Sequence, residues 1–315
     1  MNSFTSEPSE YGDKHLGSSD LVDLAVIGYP WLMEDHSKII SAASTLGLRA
    51  EIWSPDRLGI KTGDDGSFPT LNGVEVEAKI LIPRGINSVF PFVKNWLLLM
   101  QNKGSLVINS ISASENCIDK LLTYLELSQS GVPILPTSSY LLSGYIPYFE
   151  GNIVVKPAFG SGGNGVIKYS ERETLQRDFL PPLDSAAKLP LYQHHVLQPL
   201  ASSWGTDYRI VIGSSNLLAS TTRKALPGRL ITNGQNSVIS AGSPTEAIAV
   251  AVNASKVLGL DFCGVDVIEH EGKMFVLEVN CWPGLSRTSE ACDVDLASKL
   301  VQISVDEYVK RRDGV

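Results

Sequence analysis

A chain of 315 residues with 43% hydrophobic and 19% charged side chains has room for about two globular units and is neither collagen-like, coiled-coil nor wholly disordered. A formal charge of −8 argues against a dominant basic surface, so no nucleic-acid partner is expected. The densest apolar run, Trp96–Met100, is far short of the ~18 residues that a membrane span needs, so no membrane partner is expected either.

The first twenty residues are polar and lack the apolar stretch of a signal peptide, which predicts a disordered leader over 1–20. Leu21–Gly28 reads as a buried strand ending in glycine. A helix over 34–46 stopped by Gly47, a strand over 49–54 and a turn at 63–66 follow. A strand over 78–82, an apolar helix over 92–103 closed by Gly104 and a strand over 106–109 come next. Strands alternating with helices predict a parallel, doubly wound sheet over 21–110. One long helix is predicted over 114–130, with Ser112 or Ser114 as cap and Gly131 as stop. The chain then turns strand-rich, at 153–159, 165–169, 196–200, 208–212 and 217–222, as hairpins of an antiparallel sheet. A helix over 245–260, a strand pair 264–269 and 274–280 turned at Glu271-Gly272, and a helix over 294–311 complete the order. Cys117, Cys263, Cys281 and Cys292 have no close metal-ligand spacing and read as free thiols in a reducing, cytoplasmic compartment. His194 and His195 point to opposite faces of a strand and are expected to be exposed rather than to bind metal.

Gly160-Ser-Gly-Gly-Asn-Gly165 fits the G-x-G-x-x-G pattern, but a strand-like segment follows where a dinucleotide fold needs a helix. Val166 stands where a P-loop would carry lysine. What remains is a glycine-rich hairpin, either a cradle of backbone N–H groups for phosphates or a flexible surface turn. Lys156 lies in the apolar Val154-Val-Lys-Pro157 just before it. If buried, it needs an anionic partner such as a phosphate; the alternative is the solvent face of an edge strand.

Asp266, in Gly264-Val-Asp-Val-Ile268, and Glu278 and Asn280, in Phe275-Val-Leu-Glu-Val-Asn280, sit on paired strands. Glu278 and Asn280 share a face, and Asp266 can converge with them across the hairpin. Buried carboxylates need cations, and two carboxylates with an amide oxygen suit Mg²⁺ and phosphate oxygens. The alternative is salt bridges to lysine or arginine. No Gly-x-Ser-x-Gly elbow or Cys/His pair points to a covalent nucleophile.

With Asn109–Lys120, Val155–Pro157, Gly160–Val166, Val196–Leu200, Gly205–Arg209, Gly264–Asp266 and Glu278-Val-Asn280-x-x-Pro283-Gly284, the chain from about 108 to 296 resembles the ATP-grasp ligases, most closely the RimK-type amino-acid ligase branch. The resemblance implies an α/β and α+β chain with the ATP-grasp fold and an N-terminal doubly wound pre-ATP-grasp domain over 21–110. A central subdomain with a glycine lid would cover 111–192, and a C-terminal subdomain with the metal site 193–315. It implies ATP, two Mg²⁺ ions with Mn²⁺ as a substitute, a carboxylate and an amine substrate, and it admits a homo-oligomer. By position, Lys120 and Lys156 resemble the two phosphate lysines. Gly160, Ser161, Gly162, Gly163 and Gly165 resemble the lid. Gln198, Pro199 and Leu200 resemble the adenine-contacting linker, read through backbone groups including the Leu200 N–H. Asp207 resembles the ribose-side acid, with Arg209 orienting it, and Arg223 the arginine on the transferred phosphoryl group. Asn233 matches a neighbouring polar position, and Asp266, Glu278 and Asn280 the metal ligands. Pro199 replaces a usual glutamate. Ile231 and Gln235 replace a basic residue and a histidine, which removes charge beside the acceptor, with Lys224 and Arg229 nearby. The implied reaction forms an amide through an acyl phosphate, releasing ADP and phosphate. Alternatives are a D-alanine–D-alanine-like or glutathione-synthetase-like ligase or a ring-closing amide synthetase. A further alternative, a non-catalytic ATP-binding module, is disfavoured by Lys156, Asp266, Glu278 and Asn280.

Overall fold

The structure, a computed structural model, describes residues 21–30, 33–64, 66–140, 151–160, 162–170, 194–229, 232 and 236–314. The predicted leader over 1–20, residues 171–192 of the predicted central subdomain, Ser161, Ile231, Asn233 and Gln235 lie outside the described residues.

The chain opens with β1 (Val22–Gly28), α1 (Met33–Thr45) and β2 (Ala50–Trp53). It continues through β3 (Leu58–Gly63), β4 (Gly66–Leu71), β5 (Val74–Glu75), β6 (Ala78–Arg84), α2 (Phe90–Asn102) and β7 (Leu106–Val107). Strands β2-β1-β6-β7 form the expected parallel sheet. Alternation along the strands decides its two faces. Ala25, Ile27 and Leu81 pack with Val93, Trp96 and Leu97 of α2. Leu24, Val26, Ile80 and Ile82 pack with Ile39 and Ala43 of α1 and with Leu300 of the C-terminal helix. Burial on both faces is what makes β1 and β6 read as unbroken apolar runs. Strands β3–β5 form a separate antiparallel sheet of which only the turn at 63–66 was predicted. Their exposed polar residues and Pro69 hide the strand pattern.

The helix predicted over 114–130 is two helices, α3 (Ile111–Ile118) and α4 (Lys120–Gln129). Ser110, not Ser112 or Ser114, caps α3, accepting from the Ala113 N–H at 3.2 Å. Asp119 is extended (φ −91°, ψ 108°) and caps α4, accepting from the Leu121 N–H at 2.8 Å. An aspartate that bonds the backbone two residues on competes with helix continuation.

The predicted run of hairpins separates into two sheets. Strands β8 (Ser138–Tyr140), β9 (Ile153–Pro157), β10 (Ile167–Tyr169) and β11 (His195–Pro199) pair in the order β10-β9-β11-β8. Strands β12 (Thr206–Gly213), β13 (Asn216–Ala225) and β14 (Ser237–Ala241) precede α5 (Thr245–Val257) and are followed by β15 (Phe262–His270) and β16 (Lys273–Asn280). These pair antiparallel in the order β14-β13-β12-β15-β16. The serine-rich β8 and β14 escaped the sequence reading because they are short and carry no clean apolar alternation. Helices α6 (Ser286–Cys292) and α7 (Leu296–Asp313) close the chain. Asp295 caps α7, accepting from the Ser298 N–H at 3.0 Å.

In the five-stranded sheet Ile210, Val265 and Val279 bury against Ala247, Ala251 and Ala254 of α5. The opposite face is polar where the strands cross the cleft. Register sets Asp207 opposite Arg223, Arg209 opposite Asp266, Asp266 opposite Glu278 and Gly264 opposite Asn280. The sheet therefore lays the predicted acidic residues and both arginines side by side on one surface.

Candidate active site

The cleft between the β8–β11 sheet and this polar face is lined by Lys120, Lys156, the loop glycines Gly160, Gly162 and Gly163, Gln198 to Leu200, Asp207, Arg209, Arg223, Asp266, Glu278 and Asn280. Gly165 stands at the end of the same loop, and a Cβ there would lie 2.8 Å from Pro157 Cγ. Gly160, Gly162, Gly163 and Gly165 all have positive φ, a conformation glycine adopts without strain and other residues avoid. The loop is therefore built from glycine for a backbone reason. Ser161 lies outside the described residues.

Lys156 is 6% exposed, in a strand paired on both sides, so it is not a solvent-facing edge lysine. Its Nζ donates to Tyr124 Oη at 2.6 Å and to the Leu277 carbonyl at 3.2 Å. Burial, with the nearby Glu278 carboxylate opposing and Lys120 adding, pushes its ammonium down to about 7. Lys120 begins α4, one residue past the break at Asp119. Its N–H donates to the Ala158 carbonyl at 3.0 Å, which brings its side chain to the glycine loop. There Nζ donates to the Gly160 carbonyl at 2.6 Å and stands 3.3 Å from Glu278.

Asp266 is 4% exposed and lies between two guanidinium groups. Arg209 grips both its oxygens, Nε on one and Nη2 on the other at 2.8 Å, and Arg223 Nη2 adds a contact at 3.0 Å. Burial raises the Asp266 carboxyl, but the two arginines outweigh it and hold it below the ordinary value. Gly264 makes room for this grip, since a Cβ there would sit 3.2 Å from Arg209 and 2.8 Å from Pro283. Arg223 also donates to Asp207 at 2.6 Å, and Asp207 accepts from the Thr232 hydroxyl. Burial pushes the Asp207 carboxyl up, against the pull of Arg223. The salt-bridge alternative describes both carboxylates as they stand: Asp266 has two arginine partners, and among the described residues Glu278 pairs with the half-buried Lys120 at 3.3 Å.

Among the described residues no three His, Cys, Asp or Glu side chains close around a common point; the oxygen set is two carboxylates and one amide. The Asn280 side-chain nitrogen is buried without a hydrogen-bond partner, an unsatisfied amide between Glu278 and the cleft. That N–H₂ donor calls for an acceptor oxygen, and it leaves Asn280 Oδ1, with the accessible Glu278 carboxylate, as the oxygens that suit a hard cation.

At the far end, Gln198 to Leu200 meet the apolar Leu135, Ile268 and Leu277. Gln198 Nε2 donates to Thr137 Oγ1 at 2.8 Å. The Leu200 N–H, expected to be offered to a base, instead donates to the Asn152 carbonyl at 2.8 Å. It is occupied because Leu200 continues the pairing of β11 with the entry to β9. His194 and His195 are half-buried rather than exposed; His194 meets Phe159 edge-on at 5.5 Å and lies 3.6 Å from Asp119.

Sequence reasoning missed several neighbours of the site. Tyr124 stands one helical turn after Lys120, a spacing that could have signalled it. Lys168 lies over the Trp204 ring at 4.7 Å. Asp35, in the first turn of α1, accepts from the Leu285 N–H at 2.9 Å and the Ser286 N–H at 3.1 Å, while Arg84 donates to Asp35 at 3.2 Å and to the Pro283 carbonyl at 2.5 Å. These tie the parallel sheet to the loop after Asn280, and nothing local in the sequence announces them. That loop and Asn87 wall a second recess that shares Lys120, Arg209 and Glu278 with the cleft.

The pattern of the RimK-like ATP-grasp domain matches residues 136–304, more than half of the chain. The chain belongs to the RimK-like ATP-grasp family. It is 28% identical over 295 residues to a probable alpha-L-glutamate ligase of Stenotrophomonas maltophilia, covering 89% of this chain and 97% of that protein. Its fold is that of the ATP-grasp ligase PsnB complexed with a minimal precursor, Mg and ADP (TM-score 0.64, 17% identity, 94% of this chain and 100% of that one). D-cycloserine synthetase DcsG is equally similar in fold (TM-score 0.66, 19% identity, 90% and 99%). RimK-like ATP-grasp proteins are ligases that form an amide bond with ATP and Mg²⁺, and this chain is an enzyme of that type. No helix among the described residues is long and apolar enough to cross a membrane.

Proposed function

We propose that the cleft activates a carboxylate with the γ-phosphate of ATP and passes it to an amine, with the residues in the following roles. Lys156 and Lys120 contact phosphates from opposite sides of the glycine loop, which closes over them. Gln198, Pro199 and Leu200 bound the base, held by apolar contact and by backbone groups other than the occupied Leu200 N–H. Asp207 faces the ribose side, and Asn233 acts beside the acceptor. Arg223 and Arg209 meet the anionic transferring group and the acyl phosphate that results; both are held by carboxylates before any ligand arrives, so little reorganisation is needed in the reaction. Glu278 and Asn280, with Asp266 shared with its arginines, would hold Mg²⁺, as two ions with Mn²⁺ able to substitute, and the metal would offset negative charge on the transferring phosphoryl group. Exclusion of water by the lid protects the acyl phosphate from hydrolysis.

The observation that carries this reading is the convergence of two lysines, two arginines, three carboxylates and the Asn280 amide on one cleft beside a positive-φ glycine loop. A module that only stored nucleotide would have little use for the arginines at the metal end. In the sequence, Ile231 and Gln235 replace a basic residue and a histidine beside Asn233, which argues against a glutamate- or lysine-type pair unless Lys224 or Arg229 supplies the charge. D-alanine–D-alanine-like, glutathione-synthetase-like and ring-closing reactions follow the same chemistry with other substrates. The four thiols are free, in keeping with a cytoplasmic setting, and a homo-oligomer is compatible with the reading.

The test is ADP release from Mg-ATP with pools of carboxylates and amines, paired with Glu278→Gln. That variant removes charge from the metal end and should slow turnover by about 10²-fold or more, since each 1.36 kcal/mol is tenfold in rate. Its melting temperature should hardly move, because Lys120 keeps the Gly160 carbonyl. Asp266→Asn is the contrast: it removes the charge of the buried carboxylate that Arg209 and Arg223 share, which costs about 3–5 kcal/mol of stability. Turnover per folded Glu278→Gln molecule equal to wild type would refute the metal role.

A further inference from the structure

We propose that Tyr124 is the positioning residue that presents Lys156 to the nucleotide's phosphates, an inference that rests on the reading of Lys156 above. Three elements meet at one point. Tyr124 comes from α4, Lys156 from β9 and the Leu277 carbonyl from β16, next to Glu278. Tyr124 is 2% exposed, and its hydroxyl works in both directions: it donates to the Leu277 carbonyl at 2.6 Å and accepts from Lys156 Nζ at 2.6 Å. The ammonium also lies 5.2 Å from the centre of the Tyr124 ring, a cation–π distance.

Donor counting gives the arrangement its function. An ammonium has three N–H donors. Two are fixed, on Tyr124 Oη and on the Leu277 carbonyl at 3.2 Å, which leaves one for a ligand in a cleft that Lys156 itself lines. A lysine stem with four rotatable bonds is thereby held in one pose before ligand arrives. Lys120 and Tyr124 are four residues apart on α4, on one helical face. The helix that supplies one phosphate lysine thus also holds the other.

Tyr124→Phe keeps the ring and its packing and removes only the hydroxyl. Isothermal titration with Mg-ADP and with adenosine reads the result. Loss of a hydrogen bond to a charged group should weaken Mg-ADP roughly tenfold and leave adenosine unchanged, because adenosine lacks the phosphates. In a Lys156→Met background the same change should have no further effect on Mg-ADP, as coupled residues are non-additive. Equal losses for Mg-ADP and adenosine would make Tyr124 a packing residue and overturn the proposal. Wild-type Mg-ADP affinity in Tyr124→Phe, with Lys156→Met weakened, would overturn it while leaving the phosphate role of Lys156 intact. Undiminished Mg-ADP binding by Lys156→Met would remove both.

Discussion

Lys156 is the residue on which burial and function pull hardest against each other. Its ammonium is pushed down to about 7, first by burial, against the pull of Glu278 and with Lys120 adding to the fall. A phosphate requires the charged form. Mg-ADP affinity should therefore be level at acid pH and fall as pH rises through 7, approaching tenfold per pH unit as the proton is lost. Calorimetry in buffers of different ionisation heat should show proton uptake on binding above pH 7. Folding has the opposite sign: the unfolded lysine holds its proton up to its ordinary value near 10.5, so between 7 and 10.5 the unfolded chain binds more protons and this residue favours the fold more as pH rises. Flat Mg-ADP affinity from pH 6 to 9 would contradict the assignment of Lys156 to phosphates.

Among the elements, the break between α3 and α4 does most to place the site. Without it a continuous helix would carry Lys120 past the glycine loop. Asp119 makes the break by capping α4 and by forming a bridge with Phe159, at the exit of β9. Asp119→Ala should lower stability by about 1 kcal/mol, the usual worth of a cap, seen as a melting shift of about 1–2 °C, and should also weaken Mg-ADP because Lys120 loses its anchor. An unchanged melting temperature would show that the cap is dispensable and that tertiary pairing alone makes the break.

In the whole molecule the N-terminal parallel sheet and the C-terminal sheet share their cores. Leu24, Val26, Ile80 and Ile82 bury against Leu285, Leu296, Ala297 and Leu300 from the far end of the chain. Asn109 adds polar stitching, donating to the Phe262 and Cys281 carbonyls and accepting from the Phe262 N–H, all at 2.8 Å. A fragment of residues 21–110 would expose the sheet face that α7 covers. It should therefore show no cooperative thermal transition by circular dichroism, whereas the intact chain should. A sharp melt of the fragment would mean that α1 and α2 suffice to cover the sheet.

The sequence by itself determined the parallel sheet, because apolar strands alternating with helices have few other solutions. It determined the glycine loop, because glycine types mark backbone conformation, and the strand pair of Asp266, Glu278 and Asn280, because period-two spacing places side chains on known faces. Those signals are local, carried by spacing within single strands, loops and hairpins. Tertiary structure alone decided what each charge meets. Arg209 and Arg223 grip Asp266 because β12, β13 and β15 are neighbours in a sheet whose order is not the chain order. The Leu200 N–H is taken by Asn152, 48 residues earlier, and Asp35 and Arg84 hold a loop some 200 residues away. Buried polar groups take whichever partner the packed fold brings within 3 Å, and contact at that separation leaves no periodicity in the sequence to read.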